Sequence, residues 1–194
     1  MRNLVGVVSV LIVATLSAPV FAQSNDDVDP RITAYKNHND PEYIAERLRL
    51  QGKCDEAVPI FRQIVAQQYG YHETQFHLAG CLFMLAKAAH DPAKARALNA
   101  EAAGLIVHAA NDNISKAQAL AVQLYLDGTG VAADPVEAAK WAYVFHDNGN
   151  RLALGQPDLD ADLRTKLEGG LTADQRRKAH ALANAWTPSG DRSE

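Results

Sequence analysis

The stretch Gln123–Trp141, QLYLDGTGVAADPVEAAKW, sets two glycines, a valine and an Asp-Pro pair between two apolar helical patterns. One helix runs out through Tyr125, the chain turns over Gly128, Gly130 and Val131, and Asp134-Pro135 opens the next helix toward Trp141. Aspartate caps the unpaired N–H groups of a helix start, and proline at the first helical position gives up no hydrogen bond. Glycine supplies the positive φ that a sharp corner needs. The G-x-G lacks a following x-x-G and a preceding strand pattern, so it reads as a turn and not as a phosphate cradle.

The same device recurs along the chain. Asp91-Pro92 is followed by Ala95 and Leu98 at the offsets that Ala138 and Trp141 occupy after Asp134-Pro135; Lys53 takes the aspartate's place ahead of Ala57 and Ile60. Starts at 53, 91 and 134 fall within the period range of helical repeat arrays. Each is the second member of a pair. The first members are PEYIAERLRL from Pro41, ended by Gly52, then ETQFHLAGCLFMLAKAA and SKAQALAVQLYLDG. Helical periodicity is everywhere and sustained apolar–polar alternation nowhere, which predicts an all-α chain with three helix pairs over residues 39–149. Pro59 is placed in or near the first turn of its helix, where a missing N–H costs little.

Residues 117–149 resemble a Sel-1-like repeat, a relative of the tetratricopeptide repeat, through Ala117, Tyr125, Gly128, Gly130, Val131, Asp134, Ala138, Trp141 and Gly149. The first pair is similar to a plain tetratricopeptide unit through Ala45, Leu48, Gly52, Glu56, Ala57 and Phe61. The middle pair diverges, with no G-x-G and a longer second helix, and Val122 stands where the family usually has glycine. The resemblance implies a right-handed α-solenoid of antiparallel helix pairs whose usual role is to bind other proteins. By the same match, the concave face is expected to carry Glu42, Glu46, Arg49, Phe76, His77, Lys116 and Gln123.

Residues 150–186 read as capping helices. Leu159, Leu163 and Leu167 share a face before Gly169-Gly170. Thr172 and Gln175 then form a capping-box pattern ahead of a stripe of Ala179, Leu182, Ala183 and Trp186. A solenoid needs such helices to cover its last apolar face. Residues 23–38 and 187–194 are polar and expected to be flexible.

The first residues suggest the compartment. Arg2, the apolar run NLVGVVSVLIVATL and the small-residue stretch SAPVFA form a signal-peptide pattern over 1–22, cut after Ala22; an uncleaved N-terminal anchor is the alternative. The remainder is expected to be periplasmic or secreted, with no stable membrane insertion. Cys54 and Cys81, an even pair in an exported chain, suggest a disulfide, with two buried thiols as the alternative. The formal charge is −4. Without a dense basic patch, nucleic acid is an unsuitable partner.

No chemistry emerges from spacing. The seven histidines form no ligand pair, no serine sits in a nucleophile elbow, and Ser115 reads as a helix cap. Asp158, Asp160 and Asp162 read as a helix start before they read as an acid–base pair. We therefore expect no catalytic residue, metal or cofactor. The function expected is a scaffold for an unidentified protein or peptide. The alternative, carried by resemblance to exported cysteine-bearing repeat proteins, is a cell-wall or β-lactam-type ligand binder or hydrolase. Self-association through an unfinished end of the array is a third reading.

Overall fold

The computed structural model describes residues 39–67 and 72–189, so the signal-peptide pattern, residues 23–38 and the last residues of the tail lie outside them. Nine helices are present among the described residues, and no strand. They are α1 (Pro41–Leu50), α2 (Cys54–Gln67), α3 (His72–Ala88), α4 (Pro92–Asn111), α5 (Ser115–Asp127), α6 (Pro135–His146), α7 (Gly149–Ala153), α8 (Ala161–Gly169) and α9 (Ala173–Asn184). From α1 to α6 each helix packs on the next, α1 also reaches α3, and α9 lies along α6. This succession is an all-α solenoid.

Three helices begin on Asp-Pro. The carboxylates of Asp40, Asp91 and Asp134 accept from the N–H groups of Glu42, Ala93 and Val136. Asp40-Pro41 extends the device to the first helix of the first pair. Between helices, Ala102, Ala103, Ala109, Ala110, Ala117, Ala121 and Ala138 are fully buried, which lets the backbones approach. Phe61, Leu78, Leu82, Ile106, Val122 and Trp141 fill the remaining space. Pro59 is the sixth residue of α2, past the first turn, so this helix forgoes one internal hydrogen bond.

The corner after α5 is built as the spacing suggests. Gly128 caps the helix at φ 69° and Gly130 follows at φ 75°. Thr129 N–H donates to Leu124 C=O at 3.1 Å, and Asp134 N–H donates to Tyr125 C=O at 2.8 Å. Val131 is half-buried against the core.

Cys54 and Cys81 are joined, Cα atoms 5.0 Å apart, pinning the start of α2 to the middle of α3. Both are buried, 2% and 0% exposed, so reductant reaches them poorly without local opening. The bond closes a loop of 27 residues. Loss of that constraint is expected to destabilise the fold by about 3 kcal/mol in the chain-entropy model. Chemical denaturation of the Cys54→Ser/Cys81→Ser chain checks this, and an unchanged midpoint overturns it.

At the far end, Thr172 and Gln175 make the full capping box of α9. Ala179 is fully buried, and Trp186 meets Trp141 edge-on at 5.9 Å. Leu167 is buried, while Leu159 and Leu163 are half-buried against the core. Two expectations differ. Leu182 is 39% exposed and lies off the stripe, because α9 turns it away from α6. Ser115 is not the cap of α5: Ile114 holds that position without a side-chain bond, and the Ser115 hydroxyl instead donates to Gln156 Oε1 at 2.9 Å.

Candidate functional site

The first helices of the first two pairs bring four of the expected face residues into one cluster. Glu46 on α1 accepts from Arg49 Nε and Nη2 at 2.6 and 2.5 Å, a forked pair along one helix turn. Its carboxylate also lies 3.1 Å from His77 Nδ1 on α3. Beside it, the Thr74 hydroxyl donates to Glu42 Oε1 at 2.5 Å. These contacts cross from α1 to α3 because residues one turn apart share a helix face.

His77 is the hinge of this cluster, its ring near Phe61 of α2 at 6.2 Å and near Phe76 at 6.5 Å between centroids. Burial pushes its pKa below the ordinary histidine value. The Glu46 carboxylate opposes that shift, Arg49 adds to it, and Glu73 and Glu42 oppose it more weakly. Phe76 is half-buried against the core. Lys116 and Gln123 lie apart on α5. Lys116 is exposed, and the Gln123 amide donates along its own helix to Asp127 at 2.5 Å. No hydrogen bond or ion pair among the described residues joins these two to the α1–α3 cluster.

A second cluster joins side chains that no sequence spacing brings together. Gln118, buried in α5, donates to Ala110 C=O at 3.3 Å and to Asn113 Oδ1 at 3.2 Å. Asn148 Nδ2 donates to Asn113 Oδ1 and to Gln118 Oε1, each at 2.8 Å. Arg151, 5% exposed, donates to the carbonyls of Phe145, His146 and Gln156. Asn113 holds φ 67°, a conformation that asparagine tolerates better than most residues. The signal available was this run of amides at helix ends, which reads as ordinary turn chemistry. The partners lie 30 and 35 residues apart in the chain, beyond any local pattern.

Asp158 joins the end of α6 to α8. His146 Nδ1 lies 2.5 Å from it, Arg164 pairs with the same oxygen, and the Leu159 N–H donates to the other at 2.7 Å. Burial pushes its pKa up, but the hydrogen bonds from Arg164, His146 and Leu159 outweigh this and hold it at about 2. A depressed carboxylate contributes stability above its unfolded value and loses it as pH falls through the folded one. Asp158→Asn is therefore expected to flatten the fall in stability from about pH 3.8 down to about 2. Melting temperatures across that window check this, and parallel curves for the two proteins overturn it. Asp160 caps α8 and Asp162 lies in its first turn, which is the helix-start role expected of them.

The helix pairs, the glycine corner and the Asp-Pro starts together define an α-solenoid of the Sel-1-like repeat type. Among solved structures, the chain is similar to c5321, a protective antigen present in uropathogenic Escherichia coli strains and displaying an SLR fold. The two share 24% identity at a TM-score of 0.58 over 80% of this chain, a likeness of fold. The match takes in 31% of c5321, so the chain spans about a third of that protein's length. No protein-family model matches the chain, and no curated protein does.

Proposed function

We propose that the chain is an exported, non-catalytic repeat scaffold that binds a protein or peptide partner on the face carried by α1, α3 and α5. The observation that carries this reading is the α1–α3 cluster. Glu46, Arg49 and His77, from two successive repeat units, are held by one another, and Glu42 beside them is held by Thr74. Such a mixed-sign, pre-ordered surface suits an extended peptide, whose backbone and side chains offer both donors and acceptors. Two further features suit an exported protein. Both cysteines are joined in a disulfide, and no helix among the described residues is long and apolar enough to cross a membrane. The signal-peptide pattern over residues 1–22 supports a periplasmic location.

Site-specific photocrosslinking in the intact cell envelope tests the reading. A crosslinker at position 49 or 116 is expected to capture the same partner. One at Arg62, whose bidentate pair with Glu101 joins the second helices α2 and α4, is expected to capture nothing. Equal capture from both faces, or from neither, overturns it. Covalent labelling by a fluorescent penicillin overturns the non-catalytic part.

A further inference from the structure

We infer that the cavity between the last turns of α6 and α9 binds an alkylammonium group, presented by a lysine side chain of the partner. This rests on the protein- or peptide-binding reading above and adds a separate contact to it. The cavity measures about 280 Å³ and its lining includes Asn113, Tyr143, Asp147, Asn148, Asn184 and Trp186. That lies just below the usual range for small-molecule sites, about 300–1,000 Å³, and suits one long side chain better than a folded element.

The sign of the site follows from its construction. α4 ends at Asn111, two residues before Asn113, while α6 ends at His146 and α9 at Asn184. Asn113, just past the end of α4, and the last turns of α6 and α9 border the cavity, so helix C-termini with their partial negative charge outnumber the one N-terminus there, that of α7 at Gly149. Asp147, the C-cap of α6, adds a full negative charge at that end. Its carboxylate is exposed and makes no hydrogen bond or ion pair among the described residues. A carboxylate at a helix C-terminus is unfavourably placed, and Arg151, at the same helix end, is spent on carbonyls and forms no ion pair with it.

Two of the lining donors that would serve an anion are already committed. Asn148 Nδ2 is taken by Asn113 and Gln118, and Trp186 Nε1 donates to Asn111 Oδ1 at 3.4 Å. Two aromatic side chains line the open cavity, and each is braced by a second ring. His180 stacks on Tyr143 at 3.7 Å with the planes 14° apart, and Trp141 braces Trp186. Beyond these, Glu168 and Arg176 are the charges that act on Tyr143. Aromatic faces beside a carboxylate and helix carbonyls attract an ammonium.

The chain itself supplies a precedent at the same helix end. The Arg151 guanidinium is held by the carbonyls of Phe145, His146 and Gln156, without a carboxylate, and lies over the Phe145 ring at 5.1 Å. Carbonyls plus an aromatic face already hold one buried cation here. A metal ion is a poorer fit, since no group of three carboxylate, imidazole or thiol side chains among the described residues could coordinate one.

The test is a titration of the full chain with Nα-acetyl-lysine methylamide, followed through the indole N–H resonances of Trp186 and Trp141. Saturable shifts are expected, absent with the norleucine and Nε-acetyl-lysine analogues. Asp147→Asn, which removes a charge but no fold contact, is expected to weaken binding about tenfold. Equal shifts with norleucine, or none with lysine, overturn the site. Tighter binding of tetramethylammonium than of the lysine probe overturns the lysine assignment. Partner capture at positions 49 and 116 without lysine binding overturns this site alone. Lysine binding without that capture supports the site and overturns the α1–α3 face.

Discussion

Gly130→Ala is expected to destabilise the protein by about 3–5 kcal/mol, far more than any other substitution in the same corner. Two physical effects add there. The residue holds φ +75°, where an L side chain is strained by about 1–2 kcal/mol. Its Cβ would also lie 2.1 Å from Asn99 O and 2.8 Å from Ala103 Cβ on α4. The nearer atom is backbone within a 20-residue helix, so no side-chain rotation relieves the overlap. Overpacking of this kind adds about 1–3 kcal/mol or more. The corner of the third pair must move away from the second pair, and the layer contact loosens with it.

Gly128→Ala is the internal control. It has nearly the same φ, +69°, but its Cβ would meet only ordinary or slightly tight neighbours, the nearest being Ala133 Cβ at 3.3 Å. A loss of about 1–2 kcal/mol is expected there, from strain alone. Urea unfolding of both variants separates the two effects. Equal losses would mean that the approach of the corner to α4 is not what requires glycine at 130. Ala103→Gly is expected not to rescue Gly130→Ala, since the Asn99 carbonyl remains in place.

That comparison also shows which parts of the fold were legible in the sequence. Helix starts are local chemistry, so Asp91-Pro92 and Asp134-Pro135 announce themselves, as do the capping box at Thr172 and Gln175. The need for glycine at a corner is local too. The contact that makes Gly130 so costly to replace is with Asn99, 31 residues away, and no spacing rule reaches it. Cys54 and Cys81 were legible as a candidate pair because compartment and an even count are sequence properties; their proximity is a property of α2 packed on α3. Ser115 misled because hydroxyls at helix starts usually cap. Here Asn113 turns the chain at positive φ and Ile114 takes the cap position, while the serine reaches Gln156 instead. Of the expected face, Glu42, Glu46, Arg49 and His77 come together because they lie on the first helices of adjacent pairs. Lys116 and Gln123 stand apart, one repeat further on.

Arg151→Ala is expected to cost about 3–5 kcal/mol, although the residue sits in a five-residue helix near the end of the array. The guanidinium spends three nitrogens on three carbonyls, at 2.9 Å to Phe145, 2.8 Å to Gln156 and 2.7 Å to His146. Two of those carbonyls belong to the last turn of α6, and the third to the chain leading toward α8. Truncation leaves the His146 and Gln156 carbonyls without their donor, while the Phe145 carbonyl keeps the Asn148 N–H at 3.2 Å, and an acceptor left unpaired costs more than the net worth of its bond. The loss is expected to spread, because Asn148 caps α7 by accepting from Arg151 N–H while its own amide holds Asn113 and Gln118. Releasing α7 therefore loosens the joint between the second and third helix pairs. Arg151→Met keeps most of the apolar stem and removes every donor, so it is expected to lose nearly as much as alanine. Arg151→Lys cannot fork toward three carbonyls and is expected to fall between the two extremes. In thermal unfolding, each kcal/mol corresponds to about 2–4 °C for a chain of this size. A methionine variant as stable as the parent would show that the stem, and not the carbonyl bonds, holds α7 in place. Hydrogen exchange makes the same point locally: protection at the end of α6 and through residues 149–156 is expected to fall well before that of α2 and α3, which the disulfide holds together.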